Sequence, residues 1–300
     1  MSSGFAPLVF VLGALVGAAA ALTMVALGAG PLDGPKRRYT VKIVTITCLS
    51  TLVVTLVLGY AVVRWKFRVR EVTRVSVKDA LESYRKRKPN TVKTDPGNAP
   101  PAGVYTYKGK GFTELDAPVL GNDRRELRGD TVGTLVANGD CWEIKVQFFK
   151  QEWWSAHYCR PAPGGVGMRG WKSHNEYFGR VLDLTYTCKP PDLVRADAAP
   201  GAAWQQVCRA DDDPNAEPKV STITFVGRDT IQIGGATVPC YHVRRVIKTS
   251  GRQVGRTERN LWFRVSDGLL VRVRERSKSR GLASFESDFE LTLAKTAPTK

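Results

Sequence analysis

Hydrophobic and polar positions change their pattern three times along this chain. Phe5 to Gly30 is apolar and carries no charged residue, and Ile43 to Val63 repeats that character. Each stretch is long enough for a membrane-spanning helix, which needs about 20 such residues. The first is longer than a signal-peptide core and has no basic residue ahead of it, so a span fits it better than a cleaved leader. The pattern then turns amphipathic. Ser76-Val77-Lys78-Asp79 reads as a capping box, and Val77, Ala80, Leu81 and Tyr84 fall on one helical face, which predicts a helix from Val77 to Lys88. Pro89 stops it, and Asn90 to Ala102 is a Pro-rich linker.

From Gly103 onward the period is two. Thr131–Ala137 runs into the turn Asn138-Gly139-Asp140, and Gly234-Gly235 separates Thr230–Ile233 from Thr237–Lys248. Arg180–Cys188, Val220–Val226, Asn260–Val265 and Leu269–Arg276 are further strands. Phe285, Ser287, Phe289, Leu291 and Leu293 share one face of the last strand, while Glu286, Asp288 and Glu290 share the other. Arg272, Arg274 and Arg276 alternate in the same way and would pair with that acidic face across strands. The predicted fold is mainly β: a curved antiparallel sheet of about ten strands, half-barrel or barrel-like, covering its apolar face with the short preceding helix. The expected division is a membrane region over 1–64, a basic juxtamembrane segment, helix and linker over 65–102, and a β domain over 103–295.

Cysteine usage sets the side of the membrane. Cys48 lies within the second apolar stretch, and five others follow it. Five cysteines allow fifteen two-bridge patterns, from five choices of the free residue and three pairings for each. Local pairing joins Cys141 to Cys159 across a hairpin and Cys188 to Cys208 across a Pro- and Ala-rich loop, leaving Cys240 free. Each bridge would contribute about 3 kcal/mol in the chain-entropy model. Disulfides belong to oxidising compartments, which places the β domain outside the membrane. The basic loop Lys36, Arg37, Arg38, Lys42 is then cytoplasmic. A zinc alternative exists, because His157 with Cys159 and Cys240 with His242 could each share a strand face.

Charge adds partners to the picture. The chain carries a net +17, and Trp65–Lys300 holds 40 basic and 27 acidic residues, a net of +13. Such a field favours lipid head groups or an anionic envelope polymer, and an external domain excludes nucleic acid. Arg64, Lys66, Arg68 and Arg70 follow the second apolar stretch at head-group distance. Trp142, Trp153, Trp154 and Trp171 cluster around the first predicted disulfide and are the candidate lining of an apolar ligand pocket. No nucleophile elbow, phosphate loop or zincin motif occurs, and the three histidines have no acid partner at a telling spacing, so neither an enzyme nor a cofactor is expected. Asp211, Asp213, Asn215 and Glu217 copy the start of a calcium loop, but Ala216 and Thr222 stand where it needs Gly and Glu.

Short motifs add a resemblance. They are Val75-Ser76-Val77 with Ala80-Leu81, Pro101–Tyr107, Glu176–Gly179, Thr185–Cys188, Trp204 before Cys208, Asp267–Arg272 and Phe289-Glu290-Leu291. Together they resemble an uncharacterised group of actinobacterial membrane-anchored or secreted β-domain proteins, over about Val75 to Leu293. The layout is more distantly similar to LolA/LppX-like lipoprotein carriers. That similarity implies a curved sheet able to hold an apolar ligand, and the group itself implies no activity.

Overall fold

The computed structural model describes residues 35–67, 69, 71–87, 98–160, 165–212, 217–251 and 253–300, with backbone alone for 35–44, 47, 48, 64, 66 and 87. The chain divides into two compact units, Met1–Arg68 and Val69–Lys300.

The described part of the first unit is one helix, α1 (Pro35–Lys66). Ile43–Val63 lies inside it, and Thr55 donates its hydroxyl to the Thr51 carbonyl (2.8 Å), so that polar group needs no outside partner. Leu56, Val57 and Leu58 point to different sides of the helix, and all three are exposed. Among the described residues no helix is long and apolar enough to cross a membrane, so α1 supplies the helix expected over 43–63 but not the span itself. The expected first span, 5–30, lies outside the described residues.

The second unit begins with α2 (Val77–Arg87). Ser76 Oγ accepts the Asp79 N–H at 3.1 Å, the predicted cap. Thirteen strands follow: β1 Gly103–Ala117, β2 Gly121–Asn138, β3 Cys141–Phe149, β4 Glu152–Cys159, β5 Val166–Tyr177, β6 Arg180–Lys189, β7 Asp192–Val194, β8 Ala203–Ala210, β9 Lys219–Ile233, β10 Ala236–Thr249, β11 Val254–Arg264, β12 Leu270–Arg280 and β13 Ser284–Leu293. They pair antiparallel in the order β4-β3-β2-β1-β13-β12-β11-β10-β9-β8-β6-β5, and β5 pairs back onto β4. The sheet is therefore a closed barrel of twelve strands, with β7 attached beside the start of β5.

The curved antiparallel sheet predicted from the residue pattern is present, but two expectations change. Among the described residues there are thirteen strands rather than about ten, and the apolar face is covered by closure of the ring rather than by the helix. Tyr105, Tyr107, Leu135, Ile144, Val243, Phe263, Val273 and Leu291 face inward and are buried against one another. Helix α2 instead lies against β1 and β2, where Ala80 joins Val104 and Val132 in a separate small cluster. The missed strands had weak patterns. β5 opens Val-Gly-Met-Arg-Gly-Trp, and a Cβ on Gly170 would sit 2.4 Å from the Tyr186 carbonyl oxygen, so a glycine is required where the period should be read.

Charge alternation holds as predicted on the outer face of β12 and β13. Arg272 pairs with Glu290 (2.7 Å), Arg276 with Asp288 (3.2 Å) and Lys278 with Glu286 (2.9 Å). The basic segment ahead of α2 docks on the barrel. Lys150 N–H donates to the Thr73 carbonyl (2.8 Å), and Arg74 donates to the carbonyls of Glu126 and Arg128.

Candidate functional site

Both predicted bridges form, Cys141–Cys159 between β3 and β4 and Cys188–Cys208 between β6 and β8, and Cys240 is free and buried. The bridge takes the Cys159 thiolate out of the zinc alternative. Cys240 donates to the Val238 carbonyl (3.3 Å), burial pushes its thiol up to about 12, and His242 stacks on Trp262 with centroids 4.2 Å apart. Glu217 of the calcium-like loop accepts the Ser250 hydroxyl (2.6 Å), while Asp213 and Asn215 lie outside the described residues.

Three of the four candidate tryptophans, Trp153, Trp154 and Trp171, are among the residues that border one interior cavity, and Trp142 is not. Trp142 is a core side chain, 5.9 Å from Tyr158, and packs over the Asp267–Gly268 turn. Gly268 has φ +78°, and a Cβ there would lie 2.9 Å from the indole, so the turn has no room for another residue. Trp153 faces away from Trp154 by strand alternation. Its ring stacks on His174 (5.4 Å) beneath the Lys145 ammonium (3.8 Å). Trp154 and Trp171 face inward and border a cavity of about 130 Å³ inside the barrel, together with Tyr158, Phe289, Arg245 and Arg259. Ser173 and Asn175 also border it. They lie where β6 pairs with β5 but not yet with β8, since the β6–β8 ladder starts only at Tyr186. Ser173 and Asn175 are partly exposed there.

Sequence reading missed the charges inside the barrel, which form two groups of opposite completeness. The first is closed. Arg125 donates to Asp123 through Nε (3.2 Å) and Nη2 (2.9 Å), and to Glu152 through Nη1 (3.3 Å). Thr113 donates to the same Glu152 oxygen (3.0 Å), and the guanidinium lies 3.8 Å over the Tyr177 ring. Asp123, Arg125 and Glu152 are each 2–3% exposed, and burial raises the Glu152 carboxyl above its ordinary range.

The second group is open. Arg245 is 1% exposed and has no carboxylate partner among the described residues: Nε donates to Ser221 Oγ (3.1 Å), Nη1 to Met168 Sδ (3.7 Å) and Nη2 to the disulfide sulfur of Cys208 (3.4 Å). Two of those three acceptors are weak. The nearby Arg259 is already committed to Glu275, its Nε donating to Oε2 at 2.7 Å, while Ser287 donates to the other carboxylate oxygen (2.9 Å). Lys219 lies over Trp171 and Tyr186, with Nζ 5.0 and 4.8 Å from the two centroids. Burial, Arg245 and Arg259 push the Lys219 ammonium down to about 8.

A pH signature follows from the open group. Unfolding returns Lys219 from about 8 to its ordinary 10.5, so between those values the unfolded chain binds the extra proton and stability increases with pH. Thermal melts from pH 7.5 to 9 in a Cys240→Ala background, which removes the thiol whose ionisation on unfolding opposes the trend, should therefore show a rising Tm. Lys219→Met should flatten that rise, and an equal slope in the variant would refute the assignment.

On the opposite face of β3–β6 is an open depression of about 610 Å³, bordered by Glu143, His157, Arg169, Lys172, Thr185 and Asp211. Its charges are mixed. The side chains of Arg64, Lys66, Arg68 and Arg70 lie outside the described residues.

No family model matches the chain, and no curated protein matches it. Among solved structures it is similar to the hypothetical lipoprotein YmcC from Escherichia coli, with 15% identity, a TM-score of 0.30, and coverage of 75% of this chain and 100% of that one. That likeness is too loose to carry an argument about function.

Proposed function

We propose that this chain is a membrane-tethered, extracytoplasmic, non-catalytic binding domain whose ligand occupies the barrel interior. The carrying observation is the cavity between Trp154, Trp171 and Arg245, bordered also by the partly exposed Ser173 and Asn175. At about 130 Å³ it falls below the ~300–1,000 Å³ of pockets for drug-sized ligands. That supports a small ligand over the lipid-like one first expected.

Tethering rests on α1. Ile43 to Val63 holds 21 residues without a charge, and apolar side chains on several sides of the helix, Leu49, Leu52, Val53, Leu56 and Val57 among them, are exposed, which suits contact with lipid although the helix is not long and apolar enough to cross it. Arg64, Lys66, Arg68 and Arg70 would then meet anionic head groups, each contributing about 1 kcal/mol near such a surface. Two disulfides support an oxidising compartment. The second reading, an interaction protein holding anionic polymer, draws on the +13 charge and on Arg169 and Lys172 of the outer depression. It gains less support, because Glu143 and Asp211 border the same depression.

Native mass spectrometry of the full chain released from detergent tests the binding reading. A retained small molecule at one per chain is the expected result, and a bare mass favours the interaction reading instead. Sidedness has its own test. A reporter that fluoresces only in the cytoplasm, fused after Lys300, should stay dark, and a bright fusion would place the domain on the other side.

A further inference from the structure

We infer that the interior cavity is a site for a small organic anion: a carboxylate or phosphate group, carried on an aromatic or compact apolar body, seated against Arg245 and the indole N–H groups of Trp154 and Trp171. This rests on the binding reading and specifies its ligand.

The polar groups at this cavity are unequal in kind. Trp154 Nε1 and Trp171 Nε1 are both sequestered from solvent and donate to no acceptor among the described residues. Both residues border the cavity, and Trp154 as a whole is only 9% exposed. A buried donor without an acceptor is costly, so two at one small cavity are unusual unless something else accepts from them. Arg245 adds a guanidinium whose strongest acceptor is a single serine hydroxyl.

The acceptors nearby are already engaged. Glu275 takes Arg259 and Ser287, and Glu152 takes Arg125 and Thr113. The open group thus holds three cations, Lys219, Arg245 and Arg259, against one carboxylate, Glu275; with Asp123 and Glu152 standing against Arg125 in the closed group, the interior as a whole keeps an excess of one positive charge. A buried positive excess is unfavourable unless an anion joins it. Tyr158, Phe148, Phe289 and Leu261 add ring and aliphatic surface to the lining, beside the hydroxyl of Thr113 and the two engaged carboxylates, Glu152 and Glu275. Donors without acceptors, excess positive charge and flat apolar walls together describe the complement of an anion on an apolar body. The volume admits one compact molecule and excludes a pair of acyl chains.

The test uses the full chain in nanodiscs of neutral lipid, titrated calorimetrically with benzoate and with benzamide, its uncharged counterpart. Benzoate should bind once per chain and at least tenfold tighter than benzamide. Arg245→Met should weaken benzoate at least tenfold and leave benzamide within twofold. Trp154→Phe keeps the ring, removes the N–H and should weaken benzoate several-fold, which provides a second route if the arginine variant does not fold. Equal binding of the two probes, benzoate binding indifferent to both substitutions, or no benzoate binding at millimolar concentration would each overturn the inference. The two readings fail separately. A neutral compound or a lipid retained in native mass spectrometry keeps the binding domain and discards the anion, whereas a bare chain that also ignores benzoate discards both.

Discussion

Arg125→Met is expected to lower the unfolding free energy by about 3–5 kcal/mol, the usual effect of removing one partner from a buried ion pair. The loss is large because two carboxylates depend on this one guanidinium. Asp123 and Glu152 are nearly inaccessible, and without Arg125 neither keeps a cation at hydrogen-bond distance. Methionine preserves much of the volume and the contact with the Tyr177 ring, so the effect reads the charge rather than a cavity. Denaturant titration checks the magnitude. Adding Glu152→Gln to the variant should recover part of the loss, since one of the stranded charges is gone. A loss under about 1 kcal/mol would mean that the Asp123–Arg125–Glu152 group does not hold β2 to β4 as described.

The same substitution at Arg245 is expected to act in the opposite direction, and the two positions show what the sequence could reveal. Arg125 and Arg245 both stand within strand patterns, and nothing in their neighbours along the chain marks either as buried. Burial of a charge inside a barrel is decided by registers between strands far apart in sequence. Arg245 meets Ile223 and Arg259 only through the ladders of β10 with β9 and β11. The features that were legible are local: the Ser76 cap, the Asn138–Gly139 turn, the period-two face of β13 and its partners on β12, and the two short-range disulfides. The closure of β4 on β5 was not legible, because β5 hides its period behind Gly167 and Gly170 and a bulge next to His157. The tryptophan cluster divides between the faces of the sheet. Alternation places Trp154 inside and sends its neighbour Trp153 outside, so adjacency in sequence could not group them. That Trp154 and Trp171 meet Arg245 depends on three separate strands.

Arg245 carries the central claim, that this barrel interior is completed by a ligand rather than by the protein alone. Removing a buried charge that lacks a carboxylate relieves desolvation and the repulsion from Arg259 and Lys219, and apolar replacement of such groups is commonly neutral or stabilising by about 1–4 kcal/mol. The direct measurement is scanning calorimetry of the ligand-free full chain beside its Arg245→Met variant at pH 7. The account predicts a melting temperature for the barrel that is unchanged or higher in the variant. A fall as large as that of Arg125→Met would contradict it, showing that Arg245 holds the fold together and that the cavity was never built around an anion.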